Sequence, residues 1–322
     1  MTAHPRVSVA IPLYNEEQGV TELLRRVRGV LDALPGGPHE IVLVNDGSSD
    51  RTLELLEQEA SRDDRLLVVS LSHNFGHQAA LSAALDHVSG DVTVLMDGDL
   101  QDPPEAIPQF LQRYRDGYEV VYAIRERRHE PWWLRFCYFV FYRALARISE
   151  VRLPLDAGDF GLMSSRVVAE LRRLPERHRY LRGLRAWAGF RQIGVALERP
   201  QRQSGESKYS MAKLIGLAFD GLFSFSTVPL RAAIIVGAFA IVASTAFALY
   251  SMYVRLVLHR SPEGFTALML VIVFLSGVNL FFLGVIGEYL GRVYEQVKAR
   301  PTYVIGRMIR KPAPAPPPGV RV

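Results

Sequence analysis

Five short runs of β-branched and aliphatic residues, at positions 7–11, 41–44, 66–71, 92–96 and 120–124, punctuate the first 125 residues. The segments between them carry apolar residues at helical spacing. In the first, Val20, Leu23, Leu24, Val27, Val30, Leu31 and Leu34 share one face of a 3.6-residue period while Arg25, Arg26 and Arg28 take the other, which predicts an amphipathic helix. Strands alternating with single helices over short connections predict right-handed crossovers and a mainly parallel sheet, hence an α/β domain. Such sheets bind ligands beyond the carboxyl ends of their strands. The polar clusters of this chain fall there: Tyr14-Asn15-Glu16, Asn45-Asp46, His73-Asn74 and Asp97-Gly98-Asp99.

The pattern changes in the second half. Residues 232–254 and 264–287 contain no charged side chain, and each run exceeds the roughly 20 residues that cross a hydrocarbon core. They predict transmembrane helices over 230–256 and 264–288. Between the runs stand only Arg255, Arg260 and Glu263, whereas Arg292, Lys298, Arg300, Arg307, Arg310 and Lys311 follow the second. The positive-inside rule then predicts a multi-pass protein of the inner (plasma) membrane with both termini cytoplasmic. Residues 131–149 interleave Trp132, Trp133, Phe136, Phe139 and Tyr142 with Arg135, Arg143 and Arg147. Two readings stay open for them: an interfacial amphipathic helix or a core-facing one. Residues 211–229 are a second interfacial candidate leading into the first span. This leaves residues 1–210 as a cytoplasmic domain and 289–322 as a basic tail, Pro/Ala-rich from Lys311 and expected to be disordered or polyproline II.

Composition narrows the class. Of 322 residues, 49% are hydrophobic and 22% charged, which excludes a disordered, collagen-like or disulfide-stapled chain. The net charge of +5 suits an anionic partner such as a lipid surface or phosphate. Cys137 is the only cysteine, so no intrachain disulfide or CxxC site can form. The first residues are polar and carry no secretory signal pattern, so the first half is expected to stay in the cytoplasm.

Asp97 and Asp99 stand one residue apart at the end of an apolar strand. If the strand continues, their carboxylates share a face, and two such oxygens suit a hard cation that completes its shell with phosphate and water. Neither GxxxxGK[ST] nor GxGxxG follows the first strand, which excludes a P-loop and a dinucleotide fingerprint.

Four motifs in order, Ile11-Pro12-Leu13-Tyr14-Asn15-Glu16, Val44-Asn45-Asp46-Gly47-Ser48-Ser49-Asp50, Asn74-Phe75-Gly76 and Met96-Asp97-Gly98-Asp99-Leu100-Gln101-Asp102, resemble family 2 glycosyltransferases of the GT-A fold. More narrowly the chain is similar to the polyprenyl-phosphate glycosyltransferases. Further matches are Gly158-Asp159-Phe160, Tyr180-Leu181-Arg182-Gly183, and Arg202 with Gly205-Glu206-Ser207-Lys208-Tyr209. The resemblance implies a GT-A-type nucleotide-sugar-binding domain followed by interfacial helices and two transmembrane helices. It implies that Pro12, Tyr14, Glu16 and Asp46 hold the base and ribose of a UDP- or GDP-sugar, with Asp97 assisting. Asp97, Asp99 and Gln101 would bind Mg²⁺ or Mn²⁺ at the diphosphate, over which a loop bearing Arg202 and Lys208 would close. Arg125 and Arg135 would hold the phosphate of a polyprenyl acceptor such as undecaprenyl phosphate in the lipid bilayer, with Asp159 orienting or deprotonating it. The implied partners include no nucleic acid, and a homo-oligomer stays open.

His73 and His77 depart from the Arg and Lys that often flank Asn-Phe-Gly in these relatives. They are read as surface or phosphate-side residues rather than a metal pair. Two rival functions remain at this point. A processive polysaccharide synthase fits poorly, because no QxxRW occurs and two spans are too few to enclose a polymer. A non-enzymatic sensor or lipid-carrier module is disfavoured by the intact Asp97/Asp99 pair and Lys208.

Overall fold

In a computed structural model, the structure describes residues 4–125, 157–177, 179–197, 228–257 and 264–311. Arg135, Arg202, Lys208 and the candidate interfacial segment 131–149, together with residues 211–227 of the second candidate, lie outside the described residues. The described residues up to 197, with 301–311, form one compact unit, and those from 228 to 300 a second.

The first unit is built on eight strands among the described residues: β1 (Val7–Leu13), β2 (Glu40–Asn45), β3 (Leu66–Leu71), β4 (Val92–Leu95), β5 (Val120–Arg125), β6 (Ala157–Ser164), β7 (Gln192–Leu197) and β8 (Ile305–Arg310). Their order is β7-β5-β6-β4-β1-β2-β3-β8. The centre β3-β2-β1-β4 is parallel, as the strand and helix alternation predicts, while β6 and β8 run antiparallel to their neighbours. Strand order reverses direction at β1, whose two neighbours are β2 and β4, so a crevice opens between the carboxyl ends of β1 and β4.

Helices cover both faces. On one side α1 (Val20–Asp32), α2 (Thr52–Arg62) and α4 (Ile107–Arg115) pack on Val7, Val9, Ile11, Ile41 and Leu43. On the other, α3 (His77–His87), α5 (Ser165–Arg173) and α6 (Leu181–Trp187) pack on Ala10, Val42, Val44 and Leu95. Alternate strand residues thus feed opposite cores, which is why these runs are apolar throughout rather than alternating. The predicted face of α1 is the buried one, with Val20, Leu23, Leu24, Val27 and Leu31 inside.

β8 falls within the segment read as a basic tail. It adds to the β3 edge with Val68 opposite Ile309 and Val69 opposite Met308. Tyr303 donates to Asp86 Oδ2 at 2.8 Å and Arg307 to Glu57 Oε1 at 2.7 Å, fastening the segment before the strand and within it. Arg307 and Arg310 put charge on this edge strand, as sheet edges commonly carry, and a run of six residues is too short to stand out from a charged tail.

The second unit contains α7 (Val228–Leu256) and α8 (Phe265–Val297). Both are long and apolar enough to cross a membrane. Ile234, Phe239, Phe274 and Leu280 are 71, 75, 70 and 70% exposed, an apolar surface that water would not tolerate. α8 runs beyond the uncharged stretch to Val297, where Arg292 pairs with Glu288 at 3.0 Å and Lys298 with Glu295 at 2.9 Å. Paired charges suit an aqueous end of the helix.

Candidate active site

The site is assembled from turns at one end of the sheet. After β1 the chain turns at Asn15, whose φ is 54°. Asn15 N–H donates to Ser48 Oγ at 3.0 Å and Glu16 N–H to Thr52 Oγ1 at 2.9 Å, while Asn15 Oδ1 accepts from Ser49 N–H at 2.9 Å. The β1 and β2 turns therefore form one laced surface that leaves Tyr14 exposed and buries Pro12 within β1.

Asp46 directly follows β2 and is buried. Its carboxylate accepts from Phe75 N–H at 2.8 Å and Gly76 N–H at 3.0 Å, holding the Asn74-Phe75-Gly76 loop across the sheet end. Burial raises its carboxyl above the ordinary range, with the two amides working against it. Gly47 makes the approach feasible: its φ is 65°, and a Cβ there would sit 2.4 Å from the His73 carbonyl carbon.

Asp97 does not continue β4. The strand ends at Leu95, and Asp102 Oδ2 accepts from Asp97 N–H at 3.1 Å. The expected same-face placement of Asp97 and Asp99 by strand period is replaced by a turn, with Gln101 N–H donating to Asp99 Oδ1 at 3.1 Å. A Cβ at Gly98 would lie 2.3 Å from Leu13 Cδ2 and 3.1 Å from Pro12 O, so a larger residue between Asp97 and Asp99 would make the buried Leu13 side chain shift.

A cleft opens beside this turn, with Asp97, Gln101, Asp102, Ile124, Gly158 and Asp159 among its walls. β6 runs antiparallel to β4, which brings its start, and with it Asp159, to the same end. β5 is antiparallel to β6 and therefore ends there too, placing the Arg125 backbone at the rim. Asp97, Gln101 and Asp159 are thus gathered on one cleft. Asp99 sits in the adjoining turn, and Pro12, Tyr14, Glu16 and Asp46 belong to the neighbouring β1 and β2 turns.

Two residues join this group that the sequence reading gave no definite role. Arg182, at the start of α6, donates from Nε and Nη2 to the two oxygens of Asp159, both at 2.8 Å. His77, at the start of α3, is half-exposed and places Nε2 3.6 Å from Asp97 Oδ1 and 3.6 Å from Asp159 Oδ2. Burial works to raise the Asp159 carboxyl, but the Arg182 guanidinium and the His77 imidazole hold it far below the usual carboxylate range. Burial likewise works to lower the His77 ring, and the carboxylates of Asp159 and Asp97 keep it above its ordinary value. The signal for Arg182 in the sequence was the charged residue inside Tyr180-Leu181-Arg182-Gly183, at the head of a short helix.

Among the described residues no cluster of three or more His, Cys, Asp or Glu side chains closes a metal site by itself. Asp97 and Asp99 offer hard carboxylate oxygens beside an open cleft, a donor set that fits a Mg²⁺-like ion needing substrate oxygens to complete its shell.

An acidic cleft beyond the strand ends, on the β4 side of the switch point of a mainly parallel sheet, is where an α/β protein of this kind binds its ligand. Residues 8–172 match the model of glycosyl transferase family 2, and the chain belongs to that family. It is a glycosyltransferase that uses a nucleotide sugar, on the expected GT-A-type fold. It is 43% identical over 300 residues to an uncharacterised glycosyltransferase of Synechocystis, covering 93% of this chain and 94% of that protein. A prophage-derived bactoprenol glucosyl transferase of Shigella flexneri is 37% identical, with 95% of this chain and 99% of that protein covered. An undecaprenyl-phosphate 4-deoxy-4-formamido-L-arabinose transferase of Edwardsiella ictaluri is 36% identical, with 96 and 95% covered. Family membership removes the non-enzymatic reading.

Proposed function

We propose that this enzyme transfers a sugar from a UDP- or GDP-sugar to the phosphate of a polyprenyl carrier at the cytoplasmic face of the membrane, with inversion at the anomeric carbon. The observation that carries the reading is a transferase cleft in the same chain as two bilayer-length helices, the combination a lipid-borne acceptor requires. The names of the Shigella and Edwardsiella relatives support the acceptor class.

In this reading Tyr14 and Glu16, on the β1 turn with Pro12 behind them, receive the nucleoside, and Asp46 shapes its pocket by holding the Phe75 and Gly76 amides. Asp97, Asp99 and Gln101 would hold Mg²⁺ or Mn²⁺, which when bound supplies positive charge to the diphosphate leaving group. Arg202 and Lys208 add charge to the same diphosphate. Arg125 and Arg135 take the acceptor phosphate, whose second pKa near 6 leaves it largely ionised at pH 7. An oxygen of that phosphate forms the new bond to the anomeric carbon as the bond to the diphosphate breaks, so no strong base is needed.

The decisive experiment supplies purified protein with a panel of radiolabelled UDP- and GDP-sugars and undecaprenyl phosphate. One donor should yield a lipid-extractable sugar phosphate. Label appearing only in polymer, or in no lipid with any donor, would overturn the reading.

The sheet also supports a topology. β8 pairs with β3, so strands that precede α7 and one that follows α8 belong to one sheet, which supports a reading with both on one side of the bilayer. In the proposed topology the chain between them crosses an even number of times, once per helix. The Lys/Arg excess after the second run supports a cytoplasmic sheet. Single cysteines introduced at Ser261 and Lys311, in a Cys137→Ser background, should label from opposite faces of sealed vesicles. Labelling of both from one face would remove the hairpin.

A further inference from the structure

Asp159 occupies the position expected of an acceptor-side acid or base, yet its surroundings do not suit proton transfer. Only 6% of the residue is exposed, and both of its oxygens are held by the planar fork of Arg182 at 2.8 Å. Asp159 Oδ2 also lies 3.6 Å from His77 Nε2, which in turn lies 3.6 Å from Asp97 Oδ1. A carboxylate held this way would have to give up a bidentate ion pair in order to accept a proton.

The supports of the pair are themselves fixed. Gln78 Oε1 accepts from Leu181 N–H at 3.0 Å, joining the first turn of α3 to the start of α6 and so setting His77 and Arg182 side by side. Arg185, one turn further along α6, is buried; it donates to Gly158 O at 3.2 Å and lies 5.2 Å above the Tyr122 ring. The start of β6 is therefore gripped on its carbonyl by one arginine and on its carboxylate by another.

We propose that Arg182 is a positioning residue for the transfer reaction: through its two-pronged bond it fixes Asp159 as a permanent anion that seats His77 between the acceptor wall and the Asp97 turn. Asp159 is then a structural hub of the cleft and takes no proton from the acceptor. The inference rests on the transfer reading above and deepens it by assigning the acceptor-side wall. A lysine cannot reproduce the planar fork, and a displacement of about 1 Å in such a wall costs on the order of 10²-fold in rate.

The test measures kcat and the KM for the nucleotide sugar in the full-length enzyme for Arg182→Gln, Arg182→Lys, Asp159→Asn and the double variant Arg182→Gln/Asp159→Asn. Melting temperature and the shift induced by nucleoside diphosphate are recorded for each. Arg182→Gln and Asp159→Asn should each lower kcat by about 10²-fold with donor KM changed less than about threefold, and the double variant should be no worse than the poorer single. Arg182→Lys, which keeps the buried charge and therefore the fold, should recover kcat only in part, to between about three- and tenfold below the parent. An Asp159→Asn variant that is inactive beside an Arg182→Gln variant of parental kcat would overturn the proposal in favour of a base. So would multiplicative losses in the double variant, or a folded Arg182→Lys variant with kcat within twofold of the parent should Arg182→Gln fail to fold. Slow hydrolysis of the donor by water is followed in parallel. If the parent forms no lipid-linked sugar, the acceptor reading fails by itself, and the same ratios in hydrolysis decide for or against Arg182.

Discussion

Asp99→Ala is expected to lower turnover by about 10³-fold while leaving the melting temperature within a few degrees of the parent. Within the fold, the Asp99 carboxylate accepts the Gln101 amide at 3.1 Å, a bond inside its own turn. Losing such a bond costs about 1 kcal/mol of stability. In the proposed reaction the same carboxylate brings counter-charge to a departing diphosphate, and stabilisation of that kind is worth several kcal/mol of barrier. At about 1.4 kcal/mol per factor of ten, roughly 4 kcal/mol is a thousandfold. EDTA should depress the parent enzyme to a similar level and add little to the variant. Initial rates of lipid-linked product with and without Mn²⁺ or Mg²⁺ check both statements, and an Asp99→Ala enzyme with parental turnover, or a parent fully active in EDTA, would refute metal-assisted departure.

Deleting residues 305–310 should be the most destabilising change available outside the central cores. Removing β8 uncovers the edge of β3, whose Leu66, Val68 and Val69 are buried, and takes away the packing of Ile309 on the core beneath α1 and α2. The Arg307 bond to Glu57 goes with it. With the backbone ladder, the loss comes to about 3–5 kcal/mol at roughly 1 kcal/mol per net hydrogen bond. For a domain of this size that is a fall of about 10 °C or more in melting temperature. An unpaired, apolar edge strand also invites association between copies. The deleted protein should therefore unfold early and aggregate from detergent, and its parental melting by tryptophan fluorescence would show that β8 does not close the sheet.

Much of this molecule is written in local periods. The runs that become β1 to β5, the buried stripe of α1 and the two uncharged stretches of α7 and α8 follow from side-chain spacing and length alone, because each element must bury or expose its own pattern wherever it sits. The clustering of Tyr14, Asp46, Asn74 and Asp97 at one end was equally legible, since parallel strands joined by helices put all their carboxyl ends together.

Tertiary structure alone decided the remainder. β8 lies far along the chain from β3, and nothing in Ile305-Gly306-Arg307-Met308-Ile309-Arg310 names its partner; an edge strand is chosen by which ladder is left open. The inward turn of Asp46 onto the Phe75 and Gly76 amides depends on two loops crossing at Gly47. Asp97 leaves the strand period because Asp102 caps its amide. The Arg182, Asp159 and His77 cluster draws on α6, β6 and α3, three elements that meet only because β6 enters the sheet antiparallel beside β4. Sequence by itself determined which residues carry charge to this end of the sheet and that two helices have the length and apolarity of membrane spans. Which charges neutralise one another there was settled by sheet order, since ion pairs between distant segments form only when the backbone has already brought their strands and helix ends within a few ångströms.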